Sequence, residues 1–410
     1  MQHKKIGWLL LSGLTIGPIL GSGIIILPPV VYAVAGEWAL PAWILMVCAG
    51  SLFAALTGVL SARFPGDQGI SRAVETAFGP GAGRLTACYL IGAVCFGPGA
   101  VILTAARYAA PVTGLPMPAL GFILLVICAA LLLGQVRSMG KAALAASSLS
   151  AITLCTGSAA TLLSHSKGAV MLPPLDLSTM GQTLLLLFWI IVGWEVIGNY
   201  SQDVDKPEAT IKKAVIFSAL VIAMVDIIVA AAVQWVDAPA LHSGQVSIVT
   251  LLVPLFGDNA ALVTAILTLA LCTTTYLLFV GGVARLMASL SRDGFLPAFL
   301  ARRTPGGSPA AGTLLLACIH VGILGMHMLG LMDIEDLIAL ANGFFIANAL
   351  LGILAGIKLI NSTMIRTGAV ILALVFTGIL MCSSPAVIVV IAGMGGIMAV
   401  KQRIARGCQA

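Results

Sequence analysis

Charge is what this sequence has least of. Asp, Glu, Lys and Arg together make up 9% of the 410 residues, against about a quarter in a typical soluble domain. So few ionisable side chains cannot cover a water-exposed globule of this size, which excludes a soluble enzyme or regulatory domain. Paired cysteine motifs are also missing. The nine cysteines, Cys48, Cys88, Cys95, Cys128, Cys155, Cys272, Cys318, Cys382 and Cys408, include no CxxC, and eight lie in apolar stretches. They read as small hydrophobes, with no disulfide framework or metal site implied. No HExxH, no GxSxG and no cluster of acids is present, so a membrane-embedded enzyme has no visible nucleophile, base or metal set. A passive channel would need a ring of repeated polar residues, which is not evident either.

What the sequence has in excess is apolar length. Hydrophobic residues make up 60% and the mean hydropathy is +1.10, which together read as an all-α integral membrane protein. A crossing needs about 20 apolar residues. Twelve stretches qualify: 8–33, 38–61, 83–109, 118–134, 142–164, 181–200, 213–235, 259–287, 311–329, 335–357, 366–381 and 385–401. The apolar piece from Val246 to Phe256 is too short and reads as an interfacial helix. His3-Lys4-Lys5 before the first run has the outline of a signal peptide, but the run continues past Val34 without a convincing cleavage site, so it reads as the first span.

Basic residues test this count. With the N-terminus cytoplasmic, all of the 21 Lys and Arg except Arg107 and Lys167 fall on or near the cytoplasmic side, as the positive-inside rule requires. Both termini are therefore expected in the cytoplasm. The net charge of +6 then reflects topology and not nucleic-acid affinity.

Two spans are broken by glycine at mid-length. One reads Ile19-Leu20-Gly21-Ser22-Gly23-Ile24, the other Trp189 through Gly193-Trp194-Glu195 to Gly198-Asn199. Glycine costs a helix interior about 1 kcal/mol relative to alanine. Unpaired amides cost more in hydrocarbon, so such breaks persist where they line a protein cavity. Matching breaks in two halves are the pattern of a secondary transporter. At each break the downstream half begins with unpaired N–H groups and the upstream half ends in exposed carbonyls. An amino acid complements both: its carboxylate would sit on the amides of Ser22, Gly23 and Ile24, and its ammonium on carbonyls near Ile19 and Leu20. The competing reading is close helix packing, since Gly17-x-x-x-Gly21 fits the small-xxx-small pattern.

Other polar residues in the spans have two readings each. Glu195 lies deep in a span, where acids are costly and functional by default; it is either a proton carrier or a hydrogen-bond acceptor for the unwound backbone at Gly193. Asp226 is either part of a proton relay or a partner for a neighbouring helix. Thr273, Thr274 and Thr275 form a hydroxyl cluster that either bonds its own helix carbonyls or, through Thr274, reaches substrate. His320 and His327 share a helix face and read as satisfied core or interface groups. Two loops, Arg63-Phe64-Pro65-Gly66-Asp67-Gln68-Gly69-Ile70, leading into a polar helical stretch that ends at Phe78, and Ser291-Arg292-Asp293-Gly294-Phe295-Leu296-Pro297, are either ordinary connections or parts of a gate.

Gly21-Ser22-Gly23-Ile24-Ile25 with Pro28, the Arg63-Phe64-Pro65 to Phe78-Gly79-Pro80 loop, Gly193-Trp194-Glu195 followed by Asp203-Val204-Asp205-Lys206-Pro207-Glu208, and Arg292-Asp293-Gly294-Phe295-Leu296-Pro297 occur in the order seen in the amino acid, polyamine and organocation transporter superfamily. The resemblance covers nearly the whole chain. Gly-Trp-Glu, Ala341-Asn342-Gly343-Phe344-Phe345-Ile346 and Leu354-Ala355-Gly356-Ile357-Lys358-Leu359 look most like its bacterial exporter branch for methionine and branched-chain amino acids. The resemblance implies 12 transmembrane helices in one domain. Residues 1–164 and 181–357 would form two inverted five-helix repeats, with helices 1 and 6 discontinuous and 366–401 adding two helices.

The resemblance further implies a secondary active transporter, not an enzyme, in the bacterial inner membrane. Its cargo would be neutral amino acids such as methionine, leucine, isoleucine and valine. Proton-driven efflux by alternating access is the expectation, with uptake or amino acid/amine exchange as the alternative. Substrate would touch Ile19, Gly21, Ser22, Gly23, Ile24, Trp189, Gly193 and Thr274. Trp189 matches an aromatic that closes over substrate in arginine and agmatine antiporters, although aromatics also serve as bundle filler. The carboxylate-on-amides arrangement is known from a sodium-coupled transporter of this structural class and is carried over from it. Glu195 and Asp226 are the proton-coupling candidates, and no cofactor or metal is implied. Two departures matter. Some proton-coupled relatives carry a lysine where this chain has Ser150, so lysine-based coupling is not expected and sodium stays open. Pro18 stands where antiporters of dibasic substrates have a polar residue, which argues against arginine or polyamine as cargo.

Overall fold

The computed structural model describes residues 5–134, 136–164, 171–235 and 248–407. Lys4, Lys167, Val246 and Cys408 of the sequence reading lie outside them. Among the described residues the regular structure is helical, apart from an isolated bridge between Ile6 and Val204. Among the described residues, eight helical stretches are long and apolar enough to cross a membrane, from Trp8–Arg63 to Thr363–Met381, and three shorter apolar helices accompany them, Met117–Leu132, Leu177–Ile190 and Pro385–Met398.

The first stretch is not one rod. Helix α1 (Trp8–Leu20) stops at Gly21, α2 (Gly23–Ala35) stops at Gly36, and a 3-10 turn then leads into α3 (Ala39–Arg63). The helices that follow are α4 (Ile70–Phe78), α5 (Pro80–Thr113), α6 (Met117–Leu132), α7 (Val136–Ser164) and α8 (Leu177–Leu187). After a long segment without α-helix come α9 (Pro207–Trp235), α10 (Val249–Phe256), α11 (Ala260–Arg292), α12 (Ala310–Met328), α13 (Ile334–Leu359), α14 (Thr363–Met381) and α15 (Pro385–Gly407). The polar stretch ending at Phe78 and the short apolar piece ending at Phe256 are thus both helices.

Local chemistry sets several of these ends. Asp176 caps α8: its carboxylate accepts from the Ser178 and Thr179 amides at 3.2 and 3.0 Å and from the Thr179 hydroxyl. The Thr179 bonds and then the Ser178 bond hold its carboxyl below the ordinary carboxylate range. Asp333 and Asp336 form a reciprocal capping box at the start of α13. Gln234, 1% exposed, ties the end of α9 to the turn before α3 by accepting from the Leu40 amide and donating to Glu37.

Burial divides the bundle into a centre and a rim. Every residue of α1 from Leu11 to Leu20 is buried, as is every residue from Leu187 to Ser201. Around them stand α3, α5, α7, α9 and α11. The outer surface is also apolar. Phe122 and Val126 on α6 and Leu374 on α14 are exposed by 53%, 52% and 71%, as expected where the surrounding solvent is lipid.

One side of α1 is a seam of close approaches. A Cβ at Gly13 would lie 2.5 Å from Leu144 Cα on α7, one at Gly17 would lie 2.8 Å from Thr274 Oγ1 on α11, and one at Gly21 would lie 2.6 Å from Thr275 Oγ1. The small-residue reading of Gly17 and Gly21 therefore holds together with the break. Gly13→Ala, which drives a methyl into the α7 backbone, should lower stability by about 1–3 kcal/mol. Leu9→Ala, on the same helix at an exposed position, should have little effect. Thermal unfolding in detergent compares the two, and equal midpoints would show that α7 yields to α1.

Candidate functional site

The first break is short. Gly21 adopts φ +41° and ψ −142°, a conformation open to glycine, and its amide still closes the last turn on Gly17 O at 2.8 Å. Ser22 returns to helical angles, and α2 starts at Gly23. The two-residue step removes the ladder bond that the Pro18 carbonyl would have accepted. The Thr275 hydroxyl of α11 donates to that carbonyl instead, at 3.1 Å. On the other side of the step, the first amides of α2 have no preceding turn to bond, while the Ser22 carbonyl accepts from Ile25 and Ile26.

The second break is much longer than the glycines alone suggest. The α-helix ends at Leu187, a 3-10 turn covers Phe188–Ile190, turns follow, and a second 3-10 segment runs Ile197–Asp203. Gly193 adopts φ +125°. The backbone groups are held by short-range bonds, including Ile191 N to Phe188 O at 3.0 Å and Val196 N to Gly193 O at 3.1 Å. Glu195, 2% exposed, turns back so that Oε2 accepts from the Gly193 amide at 3.1 Å. Its Oε1 is buried without a hydrogen-bond partner among the described residues.

The breaks touch each other. Trp189 Nε1 donates to Ser22 Oγ at 3.1 Å, and a Cβ at Gly23 would lie 3.2 Å from Trp189 Cδ1. A Cβ at Gly193 would lie 2.8 Å from Ile19 Cγ1, so the end of α1 packs on the second break while the start of α2 packs under the indole. Aromatic rings continue outward from Trp189: it meets Phe345 of α13 edge-on at 6.5 Å, and Phe345 meets Phe279 of α11 at 5.4 Å. At Gly97 of α5 the chain passes close to these rings: a Cβ there would lie 3.4 Å from the indole. The junction is therefore apolar walls around two sets of backbone ends, with one carboxyl group set into it.

Most residues singled out in the sequence meet here: Ile19, Gly21, Ser22, Gly23, Trp189, Gly193 and Glu195 through the contacts above, with Ile24 fully buried on the first turn of α2. Two do not. Thr274 faces Gly17, a turn before the break, and donates to Leu271 O; its neighbour Thr275 is the hydroxyl at the break. Asp226 is buried on α9, and among the described residues no hydrogen bond joins it to either break. Both histidines have partners: His320, in the core, bonds Tyr276 OH and the Val94 carbonyl, both at 2.9 Å, and the half-buried His327 bonds the Met332 carbonyl. The sequence reading gave no site role to Phe279, Phe345 or Gly97; Phe345 entered only as part of a family-like segment, and the other two signalled no more than an apolar residue in an apolar span.

The two ends of the molecule differ. From the breaks, α2 and α8 run to an end where Ala35, Trp38, Asp176, Thr179 and Met180 line a cavity of about 180 Å³. At the opposite end the loops after Arg63 and Ser291 join, through Asp67 with Arg292 and Arg303.

The amino acid permease family matches residues 6–393 of the chain. YecA of Bacillus subtilis (strain 168), named as an uncharacterized amino acid permease, is 25% identical over 368 residues, 88% of this chain and 86% of its own. YjeH of Escherichia coli (strain K12), named as an L-methionine/branched-chain amino acid exporter, is 25% identical over 376 residues, 85% of this chain and 84% of its own. The branched-chain amino acid permease BcaP of Bacillus subtilis (strain 168) is 25% identical over 171 residues, 41% of this chain and 36% of its own.

If the Thr275 hydroxyl is what satisfies the broken ladder, Thr275→Val strands the Pro18 carbonyl and should cost about 1–3 kcal/mol. Thr377→Val, at an exposed threonine that bonds its own helix at Ala373, is the control. Unfolding midpoints that fall equally for both would remove this role.

Proposed function

The chain belongs to the amino acid permease family, and from that premise we propose that it is a secondary transporter of neutral, apolar amino acids, exporting them against a proton gradient by alternating access. The observation that carries the proposal is the buried contact between two helix breaks, joined by Trp189 and Ser22. Amides at the start of α2 present positive dipole ends to a carboxylate, and the carbonyls that close α1 present negative ends to an ammonium. Apolar walls from Ile19, Phe279 and Phe345 suit an aliphatic or thioether side chain. Glu195 is the charged side chain at the junction, already half used by Gly193, which suits a group that exchanges a proton and does not pair with a cationic cargo.

The wider architecture proposed with this is twelve crossings, with residues 1–164 and 181–357 as inverted five-helix repeats and 366–401 as an addition. Breaks in the first and sixth spans, five spans apart, support it. The basic residues support cytoplasmic termini in a bacterial inner membrane. Export is the direction proposed because the relative whose name gives a direction, the exporter, aligns over 85% of the chain. Its name and that of the branched-chain permease both carry branched-chain amino acids, which supports that cargo in either direction. Asp226, away from the junction, is proposed only as a relay position between α7 and α9.

Two experiments test the reading. Gly23→Leu crowds the indole of Trp189, 3.2 Å from a Cβ at that position, and should abolish binding of labelled leucine and methionine to the purified protein while leaving membrane insertion intact; retained binding would refute the placement. In proteoliposomes, a panel of the twenty amino acids should show apolar ones driven by an imposed proton gradient. Glu195→Gln should keep trans-stimulated counterflow and lose that drive. Proton drive that survives the substitution would move coupling to another group.

A further inference from the structure

The loop from Phe64 to Gly69 has two faces, each bonded to a different part of the bundle. One face is ionic. The Asp67 carboxylate, with its side chain 5% exposed, accepts from Arg292 at the end of α11 at 3.1 Å and from Arg303, before α12, at 2.7 Å. Gln68 donates to Asp293 at 2.6 Å, beside the same arginine. The other face is neutral and grips the second break. Asn199 donates to the Asp67 carbonyl at 2.7 Å, and the Gly66 amide donates to Ser201 Oγ at 2.7 Å. Gly69 adopts φ +53°, and a Cβ there would lie 2.8 Å from Asn199 Oδ1, so glycine is what lets the loop backbone reach the 3-10 segment.

The segment it grips is the part of the bundle least able to hold itself. Residues Ile197–Asp203 lack an α-ladder, and their far end is tied by a pair of backbone bonds between Ile6 and the Asp203–Asp205 stretch at 2.9 and 3.0 Å and by Arg285 at 3.4 Å from Asp203. A carboxylate buried between two arginines is a poor way to gain stability, because desolvation offsets much of the attraction. Such a group makes sense where the contact has to open. Arg292 and Arg303 keep 45% and 32% of their side-chain surface in solvent, so they are rehydrated with little cost when the carboxylate leaves.

We propose that the Phe64–Gly69 loop is a latch that closes the arginine-rich end of the molecule by clasping the unwound segment through Gly66 and Asp67 while Asp67 anchors it to Arg292 and Arg303. This rests on the transport reading for what passes when it opens. The latch itself is the contact that holds that end shut. Opening separates Asn199 and Ser201 from the loop and exposes the space between α3 and the second break, where Ser61 Oγ now lies 2.8 Å from a Cβ built at Gly198.

Ser61, 1% exposed, supplies the probe. In a background with the nine native cysteines replaced, Ser61→Cys is labelled with a membrane-impermeant maleimide in inside-out vesicles, without any cargo added. Labelling should be slow in the parent and roughly tenfold faster with Asp67→Asn, the population shift expected for one lost contact of this kind. Arg303→Gln, which touches the latch from its solvent side, should give an intermediate rate and serves if Asp67→Asn does not fold. Unchanged labelling in a folded Asp67→Asn or Arg303→Gln variant overturns the latch. Because labelling needs no substrate, faster labelling in a protein that binds no amino acid would leave the latch standing and remove the transport reading.

Discussion

The structure depends on satisfying backbone polar groups without an α-helix at its driest point. From Leu187 to Ser201 every residue is buried, yet the chain there follows 3-10 turns and irregular turns. An unpaired buried amide or carbonyl costs about 1–3 kcal/mol in a protein and several in hydrocarbon. Short-range turn bonds hold most of its backbone, and Glu195 takes the Gly193 amide. Its own polar side chains then fix it to its neighbours: Asn199 and Ser201 bond the backbone of the Phe64–Gly69 loop, and Tyr200 donates to the Leu277 and Leu278 carbonyls of α11. The shorter break needs less: one threonine of α11 covers Pro18.

This arrangement explains why α11 is so deeply placed. It supplies Thr275 to the first break, carbonyls to Tyr200 beyond the second, and Arg292 to the loop that grips the second break from its far side. The glycine seam on α1 goes with this, since α1 must come close enough to α11 for Thr275 to reach its interrupted backbone. The proposed cargo would bind where this repair is incomplete, at the first amides of α2 and the carbonyls that close α1, with Trp189 across both breaks.

Much of this was legible in the sequence, and what was not has identifiable causes. The first break fell at Gly21, Ser22 and Gly23 as read, because a glycine at positive φ leaves a mark that hydropathy cannot hide. The second was located at Gly193 but not measured. Its 3-10 flanks are made of Phe188, Trp189, Ile190 and Ile197, residues as apolar as any α-helical span, so periodicity carries no warning. Thr274 was chosen over Thr275 because a hydroxyl cluster does not say which member faces the neighbour, and one residue rotates the side chain by about 100° around the helix. Asp226 shared the rarity of an intramembrane acid with Glu195, and only the fold separates the one bonded at a break from the one buried on α9. The aromatic walls were invisible for the opposite reason: Phe279 and Phe345 are ordinary members of apolar helices until Gly97 and Trp189 are brought next to them.

The central claim is that both breaks present backbone ends to one amino acid. Amide hydrogen exchange with and without saturating leucine or methionine measures this directly. The account predicts slower exchange, on adding the amino acid, at Gly21–Ile24 and at Trp189–Glu195 together, with the lipid-facing turns of α14 unchanged. Exchange at both breaks that ignores the amino acid, or protection confined to another part of the bundle, would contradict it.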